Sequence, residues 1–200
     1  MWLVFDRLWG SPAAVEMERT FISNLRLLAQ LEREPLPGRE KTWSSSSLRE
    51  TINANFDKVR SLADGVLFEL GSRSRQQDLA LRGQIRRWQP QLRLLFVTRV
   101  AVVKYRLKVP GFELPKPLAE AQRQIDNNFA LALEEISDRM EKRRSSEAKP
   151  TLDNSVARLE RTIENYRSEE PQQAVGAQFE ALLALDRRIQ SLMISLKEEI

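Results

Sequence analysis

Residues 47–71 of the chain read SLRETINANFDKVRSLADGVLFELG. Apolar residues recur along this stretch in steps of three and four, which places them on one face of an α-helix. Ser47 and Glu50 have the spacing of an N-terminal capping box, and Gly71 is a suitable residue to end the helix. The stretch therefore predicts a long helix whose buried stripe is Leu48, Ile52, Phe56, Val59, Ala63, Val66 and Leu70.

The same periodicity predicts helices on both sides of this segment. One is expected to begin at Ser11 and Pro12, a cap and a first helical residue, and to end near Glu34. A third is expected over 74–108, with a kink or a short break at Pro90. Further helices are expected from Pro117 to about residues 142–144, around residues 156–166, and from near Pro171 onwards.

Five or six long helices joined by short polar connectors predict an all-α fold, an elongated antiparallel bundle. The chain has 200 residues, 42% of them hydrophobic, which is enough for one domain with its own core. We expect residues 11–200 to form a single helical bundle domain, preceded by a membrane-proximal segment at 1–10.

The sequence contains no His and no Cys. Their absence removes the usual general base near neutral pH, the thiolate nucleophile and the commonest transition-metal ligands. The chain also has no Gly-rich phosphate loop and no nucleophile elbow. We therefore expect no catalytic residues, no metal site and no cofactor, and a chain that is not an enzyme.

Basic residues cluster on the third predicted helix, where Arg82, Arg86 and Arg93 share one face. Such a patch could bind phosphate groups or anionic lipid headgroups. A solvated helix face with ordinary ion pairs explains the same pattern, and the plentiful acidic residues elsewhere favour this second interpretation.

Two further sets of polar residues have more than one interpretation. The acidic set on the fourth helix could bind a divalent metal, but the basic residues among it favour a solvated face; it consists of Glu134, Glu135, Asp138 and Glu141. The asparagines lie in mid-helix, where they are either buried polar groups or exposed; they are Asn53, Asn55, Asn127 and Asn128.

The N-terminal residues Trp2, Phe5 and Trp9 lie at helical spacing on one face. Two Trp and a Phe beside an Asp-Arg pair are typical of the interfacial end of a membrane helix. The alternative is a hydrophobic turn that docks on the bundle.

Several stretches resemble the fusaric acid resistance (FUSC) family of inner-membrane permeases, which includes aromatic-acid and multidrug efflux components. Residues 2–17, WLVFDRLWGSPAAVEM, are similar to the exit from the last membrane helix of that family. Residues 48–70 are similar to the helical region that follows. The likeness continues in WQPQLR at 88–93 and YRLKVPGFELP at 105–115, and it covers about residues 1–140.

The resemblance implies the soluble C-terminal helical domain of an efflux permease, on the cytoplasmic face of the bacterial inner membrane. It implies a role in assembly or gating, with the membrane part of the same permease as partner and a homo-oligomeric state. No substrate-binding residue is carried over to this domain. An anionic lipid surface is a further candidate partner, and no nucleic acid is expected because the chain is only mildly basic, with a net charge of +4.

Two other functions remain open at this point. The chain could be a stand-alone helical adaptor that binds a protein through an apolar helix face. It could also bind nucleic acid or anionic lipid through Arg82, Arg86 and Arg93.

Overall fold

The computed structural model describes residues 13–34, 46–68, 75–108, 114–141, 152–169 and 177–200. Within these ranges the chain forms six α-helices and two short 3-10 turns, and it contains no strand. The helices are α1 (Ala13–Arg33), α2 (Ser46–Gly65), α3 (Arg75–Lys108), α4 (Lys116–Met140), α5 (Ser155–Glu169) and α6 (Ala177–Glu199). The turns are Val66–Phe68 and Leu152–Asn154. The predicted all-α fold is confirmed.

Helix α1 lies against α2, α3 and α4. It runs antiparallel to α2, because Glu16 near its start accepts a hydrogen bond from Lys58 late in α2, at 2.6 Å. Farther along α1, the Asn24 side chain donates to the carbonyl of Ile52, which lies earlier in α2, at 3.3 Å. These two consecutive helices therefore pack side by side in opposite directions.

Helices α5 and α6 also run antiparallel. Arg187 near the middle of α6 pairs with Glu160 on α5 at 2.7 Å. One turn later, Gln190 donates to the carbonyl of Leu152, which lies just before α5, at 2.7 Å. Helix α6 also packs on α3 and α4, and α5 itself packs directly on α4.

The core contains the apolar stripes that the periodicity predicted. In α2, Ile52, Phe56 and Val59 are buried, and in α4 Phe129 is fully buried. Aromatic rings join neighbouring helices across this core, with a centroid distance of 6.2 Å between Phe21 and Trp88 and of 6.0 Å between Phe56 and Phe96. Burial of these stripes supplies most of the stability of the bundle, because it removes apolar surface from water.

One sequence prediction about a helix end is wrong, and of the kink or break expected at Pro90 the structure excludes the break. Helix α2 begins at Ser46, so Ser47 is a helical residue rather than the N-cap, and its carbonyl accepts a hydrogen bond from the Thr51 hydroxyl at 2.8 Å. Helix α3 continues through Pro90 without a break. Pro90 is exposed, so water can satisfy the carbonyl of Arg86 that lacks its helical donor. The predicted boundaries at Ser11, Pro12, Gly71 and Pro171 lie outside the described residues.

Phe129 and Phe68 form a matched pair for testing this core, since Phe129 is 0% and Phe68 79% exposed. Phe129→Ala should lower the free energy of unfolding by about 3–5 kcal/mol, because it leaves a cavity where a ring was buried. Phe68→Ala removes the same atoms from the surface and should change it by at most about 0.5 kcal/mol. Urea unfolding followed by circular dichroism measures both values. Similar losses for the two variants would contradict the assigned packing.

Candidate functional site

Four charged side chains from four helices meet inside the bundle. Arg99 comes from α3, Glu32 from α1, Asp126 from α4 and Asp186 from α6. All are buried: Arg99 is 1% exposed, and the most exposed of the three acids, Asp126, is only 6% exposed. We call these four residues the buried charge cluster. Burial of four ionisable groups in one place is costly unless they compensate one another.

Arg99 is the centre of the buried charge cluster. Its Nη1 donates to Oδ1 of Asp126 at 3.0 Å, and its Nη2 lies 3.4 Å from the second carboxylate oxygen. The same Nη2 donates to the backbone carbonyl of Glu32 at 3.0 Å, and Nε lies 3.2 Å from the Glu32 carboxylate. That carbonyl is in the last turn of α1, where helical donors run out, so Arg99 also satisfies a helix end.

Gln122 supports this arrangement from the same helix as Asp126. Its Nε2 donates to Oδ1 of Asp126 at 3.1 Å, and the side chain is buried, 2% exposed. Asp126 therefore accepts hydrogen bonds from both Arg99 and Gln122. The bond from Gln122 therefore helps to hold the Asp126 carboxylate in place for Arg99.

The other two carboxyl groups bind protons more tightly than usual. Burial raises the pKa of Asp186 to about 8, and the nearby negative charge of Asp126 adds to this effect against the attraction of Arg99. Burial likewise raises the pKa of Glu32 to about 7, although Arg99 opposes the shift. Within the described part of the chain, neither oxygen of Asp186 has a hydrogen-bond partner. Its neutral form therefore suits this site better than its charged form.

The buried charge cluster changes its net charge near neutral pH. With Glu32 and Asp186 protonated, Arg99 and Asp126 form a balanced ion pair. With both deprotonated, three carboxylates surround one guanidinium, at the point where four helices meet. The arrangement can therefore take up and release protons, and each release adds negative charge between packed helices.

The sequence contains a pattern that indicates this cluster, although it matches no catalytic or binding motif: charged residues occupy positions of the buried stripes. Arg99 interrupts the longest apolar run, 94–103, and it lies four residues after Leu95 on the buried stripe. Asp186 similarly lies between Leu182 and Ile189, at the helical spacing where an apolar residue is expected. Charged residues at core positions of several helices predict mutual pairing, although the sequence does not show which ones meet.

The predicted patch of Arg82, Arg86 and Arg93 is not one continuous binding surface. Arg82 is half-buried and donates to the carbonyl of Ala63 near the end of α2, at 2.5 Å. The guanidinium of Arg93 lies 5.9 Å from the centroid of the Phe56 ring, in a cation–π contact. Arg86 is exposed to solvent. Two of the three arginines thus stabilise the contact between α2 and α3.

The predicted acidic set on α4 forms ion pairs that join α4 to α1. Arg33 on α1 binds both oxygens of Glu134, with Nη2 2.7 Å from Oε2. Arg26, also on α1, lies 2.8 Å from Glu141 and 3.5 Å from Asp138. Among the described residues, no group of three or more acidic side chains is arranged to hold a metal ion. The sequence predicted a solvated face, whereas these side chains lie at a helix–helix contact.

Glu135, the remaining member of that acidic set, joins α4 to α6. It is 6% exposed and accepts a hydrogen bond from Lys197 of α6 at 2.8 Å, and a second from Arg139. Burial raises the pKa of Glu135, but these two bonds outweigh it and hold the pKa below its usual value. Glu135 therefore stays charged where Asp186 does not, because its neighbours are cations.

The four asparagines that the sequence left open divide evenly. Asn53 and Asn127 are exposed, whereas Asn55 and Asn128 are half-buried. Asn128 donates to the hydroxyl of Ser155 at the start of α5, at 2.9 Å. These residues line no ligand crevice as a group. The fully buried asparagine is Asn24, which bonds to the backbone of α2.

The predicted membrane-proximal residues Trp2, Phe5 and Trp9 lie outside the described residues. Among the helices that are described, none has a stretch long and apolar enough to cross a bilayer. Comparison of the chain with protein-family models, with curated proteins and with solved structures found no match.

The raised pKa of Asp186 predicts that stability depends on pH. The folded chain holds this proton up to about pH 8, whereas the unfolded chain releases it near the model value of 3.8. The contribution of this group to the free energy of unfolding is fully present below about pH 4, and it is lost as the pH rises through about 8. Between pH 6 and pH 8 the free energy of unfolding should fall by about 2 kcal/mol from Asp186 alone.

Asp186→Asn should remove most of this fall, because the amide has no proton to release. Asp138→Asn is the matched control, since Asp138 lies at the surface beside Arg26. Urea unfolding at several pH values between 6 and 9 measures the slope for each variant. A wild-type slope in Asp186→Asn would show that this carboxyl is not the titrating group.

Arg99→Met should lower the free energy of unfolding by about 3–5 kcal/mol, because it leaves Asp126 and Glu32 without their cation. Arg26→Met removes a surface arginine and should cost at most about 1 kcal/mol. Adding Asp126→Leu and Glu32→Gln to Arg99→Met should restore part of the loss, since no unpaired charge then remains between those helices. A cost that these additional changes do not reduce would mean that Arg99 acts by its size alone.

Proposed function

We propose that this chain is a non-catalytic helical domain of a FUSC-like efflux permease, located at the cytoplasmic face of a bacterial inner membrane. Its role there is assembly or gating, and its partner is the membrane part of the same permease. The proposal has two independent supports. One is the resemblance over about residues 1–140, and the other is the buried charge cluster.

The buried charge cluster is the observation that carries the mechanical part of the proposal. Its groups are buried 91% or more, and Arg99 pairs with Glu32 and Asp126, so they are arranged to hold helices rather than to meet a substrate. A domain that transmits movement needs an element whose packing depends on a chemical state. Protonation of Glu32 and Asp186 supplies such a state, because it changes the charge between four helices.

The decisive test begins with the gene. The reading frame upstream of Met1, in the same frame or an adjacent one, should encode membrane-spanning segments. When that segment is co-expressed with an affinity-tagged chain, the two should purify together from detergent-solubilised membranes. A gene without such segments would rule the proposal out. Failure to copurify despite their presence would also contradict it.

The homo-oligomeric state is tested separately on the purified chain. Size-exclusion chromatography with light scattering should give a mass at least twice that of the 23.2 kDa protomer. A mass of one protomer over the accessible concentration range would remove the assembly role. Only the gating role, which requires contact with the membrane part of the permease, would then remain proposed.

A stand-alone helical adaptor is the second candidate function. It is favoured by the exposed apolar residues of α3, of which Leu94 is 39% and Val97 52% exposed. This function requires a protein partner whose binding is lost on Leu94→Asp and Val97→Asp. It also requires a gene without the upstream membrane segments, so the two candidates make opposite predictions about the reading frame.

A further inference from the structure

Helix α3 has a solvent-facing side that combines basic and apolar residues. At 3.6 residues per turn, six exposed residues lie within an arc of about 100° around the helix axis. They are Arg86, Arg87, Pro90, Leu94, Val97 and Lys104, and we call this set the α3 outer face. It extends over about 27 Å at 1.5 Å per residue. The opposite side of α3 is buried and carries Ile85, Leu92 and Arg99.

The exposed large hydrophobic residues of the described chain lie on α3 or in the 3-10 turn that precedes it. The large hydrophobic side chains that remain exposed there all lie between residues 67 and 97; they are Leu67, Phe68, Leu79, Leu94 and Val97. Leu79 lies on the same side of α3 as Val97, five helical turns earlier. The other helices keep their large apolar residues at least partly covered, so this surface differs from the rest of the described bundle.

The charge of the chain is concentrated in the same helix. From Leu79 to Lys108 the sequence contains eight basic residues and no acidic one. The whole chain has 32 basic and 28 acidic residues, so the remainder has 24 basic and 28 acidic residues and is net negative. The positive net charge of the protein therefore originates in α3.

The basic residues of the α3 outer face are available to an external partner. Arg26, Arg33 and Arg187 on other helices pair with carboxylates of neighbouring helices. By contrast, Arg86, Arg87 and Lys104 form no ion pair with a carboxylate of the described residues. Their charge is not compensated locally, although each lies on a helix packed within the bundle.

We propose that the α3 outer face binds the surface of a membrane rich in anionic phospholipid. Lys and Arg meet the phosphate headgroups, while Leu94 and Val97 enter the boundary between headgroups and acyl chains. The apolar residues favour lipid over nucleic acid, because a phosphate backbone offers leucine and valine no apolar contact and none of the six residues of the face is an aromatic residue on which a base could stack. The absence of acidic residues from Leu79 to Lys108 fits an anionic lipid surface in the same way.

This inference revises the predicted arginine patch. Arg82 and Arg93 are used within the bundle, against Ala63 and Phe56, and only Arg86 of the predicted three belongs to the binding surface. The proposal does not depend on the permease function. A stand-alone chain with this helix would bind the same vesicles, so failure of either proposal leaves the other unaffected.

Vesicle flotation with the purified full chain tests the proposal. Vesicles of three parts phosphatidylcholine to one part phosphatidylglycerol should carry the protein upward at low salt, and pure phosphatidylcholine should not. The face variant carries Arg86→Glu, Arg87→Glu and Lys104→Glu and should bind at least tenfold more weakly. The control variant carries Arg158→Glu, Arg161→Glu and Arg188→Glu, which are exposed positions on α5 and α6, and should bind within about twofold of wild type.

The two variants have the same net charge, so the comparison separates a specific face from general attraction. Equal losses in both would overturn the proposal, as would binding to neither kind of vesicle. Binding to duplex DNA or RNA that exceeds binding to the anionic vesicles would also overturn it. Urea unfolding of both variants checks that each is folded; because all six positions are exposed, midpoints close to wild type are expected.

A labelling experiment tests the apolar contact without altering charge. The chain has no Cys, so Val97→Cys and Asn165→Cys each provide one attachment site for an environment-sensitive fluorophore. Asn165 is exposed on α5, which packs against α4 and α6. The label at position 97 should shift to shorter wavelength when anionic vesicles are added, and the label at 165 should not. Shifts at both positions, or at neither, would contradict contact through the α3 outer face.

Discussion

The bundle depends on one guanidinium group that is almost completely removed from water. Arg99 touches the Asp126 carboxylate of α4 and both the carboxylate and the backbone carbonyl of Glu32 in α1. A charge buried this deeply is stable only if every contact is kept, because separation from its partners would leave it in a medium that solvates it poorly. The register between α1, α3 and α4 is therefore constrained more tightly than apolar contacts alone would constrain it.

The same constraint explains the unusual carboxyl groups. Arg99 compensates one carboxylate fully, whereas three acids approach it. Burial, to which the negative charge of Asp126 adds, favours the protonated forms and raises the pKa of Glu32 to about 7 and that of Asp186 to about 8. Glu135, only a few turns away on α4, has cations beside it and stays charged. Two kinds of acid thus coexist in one bundle: burial raises the pKa of Glu32 and Asp186, whereas hydrogen bonds from Lys197 and Arg139 outweigh burial at Glu135.

Helix α3 connects the interior of the protein with its surroundings. Its buried side carries Arg99, and its outer face carries Leu94, Val97 and basic residues that pair with no carboxylate of the described residues. A helix with a fixed register inside the bundle presents a surface that is equally fixed on the outside. The proposed membrane contact and the buried charge cluster are therefore properties of one rigid element, which is 34 residues long.

The sequence by itself determined the helical fold and the buried stripes, because the spacing of three and four residues is a local property that any helix must obey. Ile52, Phe56 and Phe129 are buried as their positions predicted. The tertiary structure decided which charges meet. Glu32, Arg99, Asp126 and Asp186 are separated by between 27 and 67 positions from one to the next. Their helical spacing shows only that each faces inward, and their mutual distances follow from how α1, α3, α4 and α6 pack. The tertiary structure also moved Arg82 and Arg93 from a predicted surface patch into helix contacts, since only packing shows which neighbour a long side chain can reach.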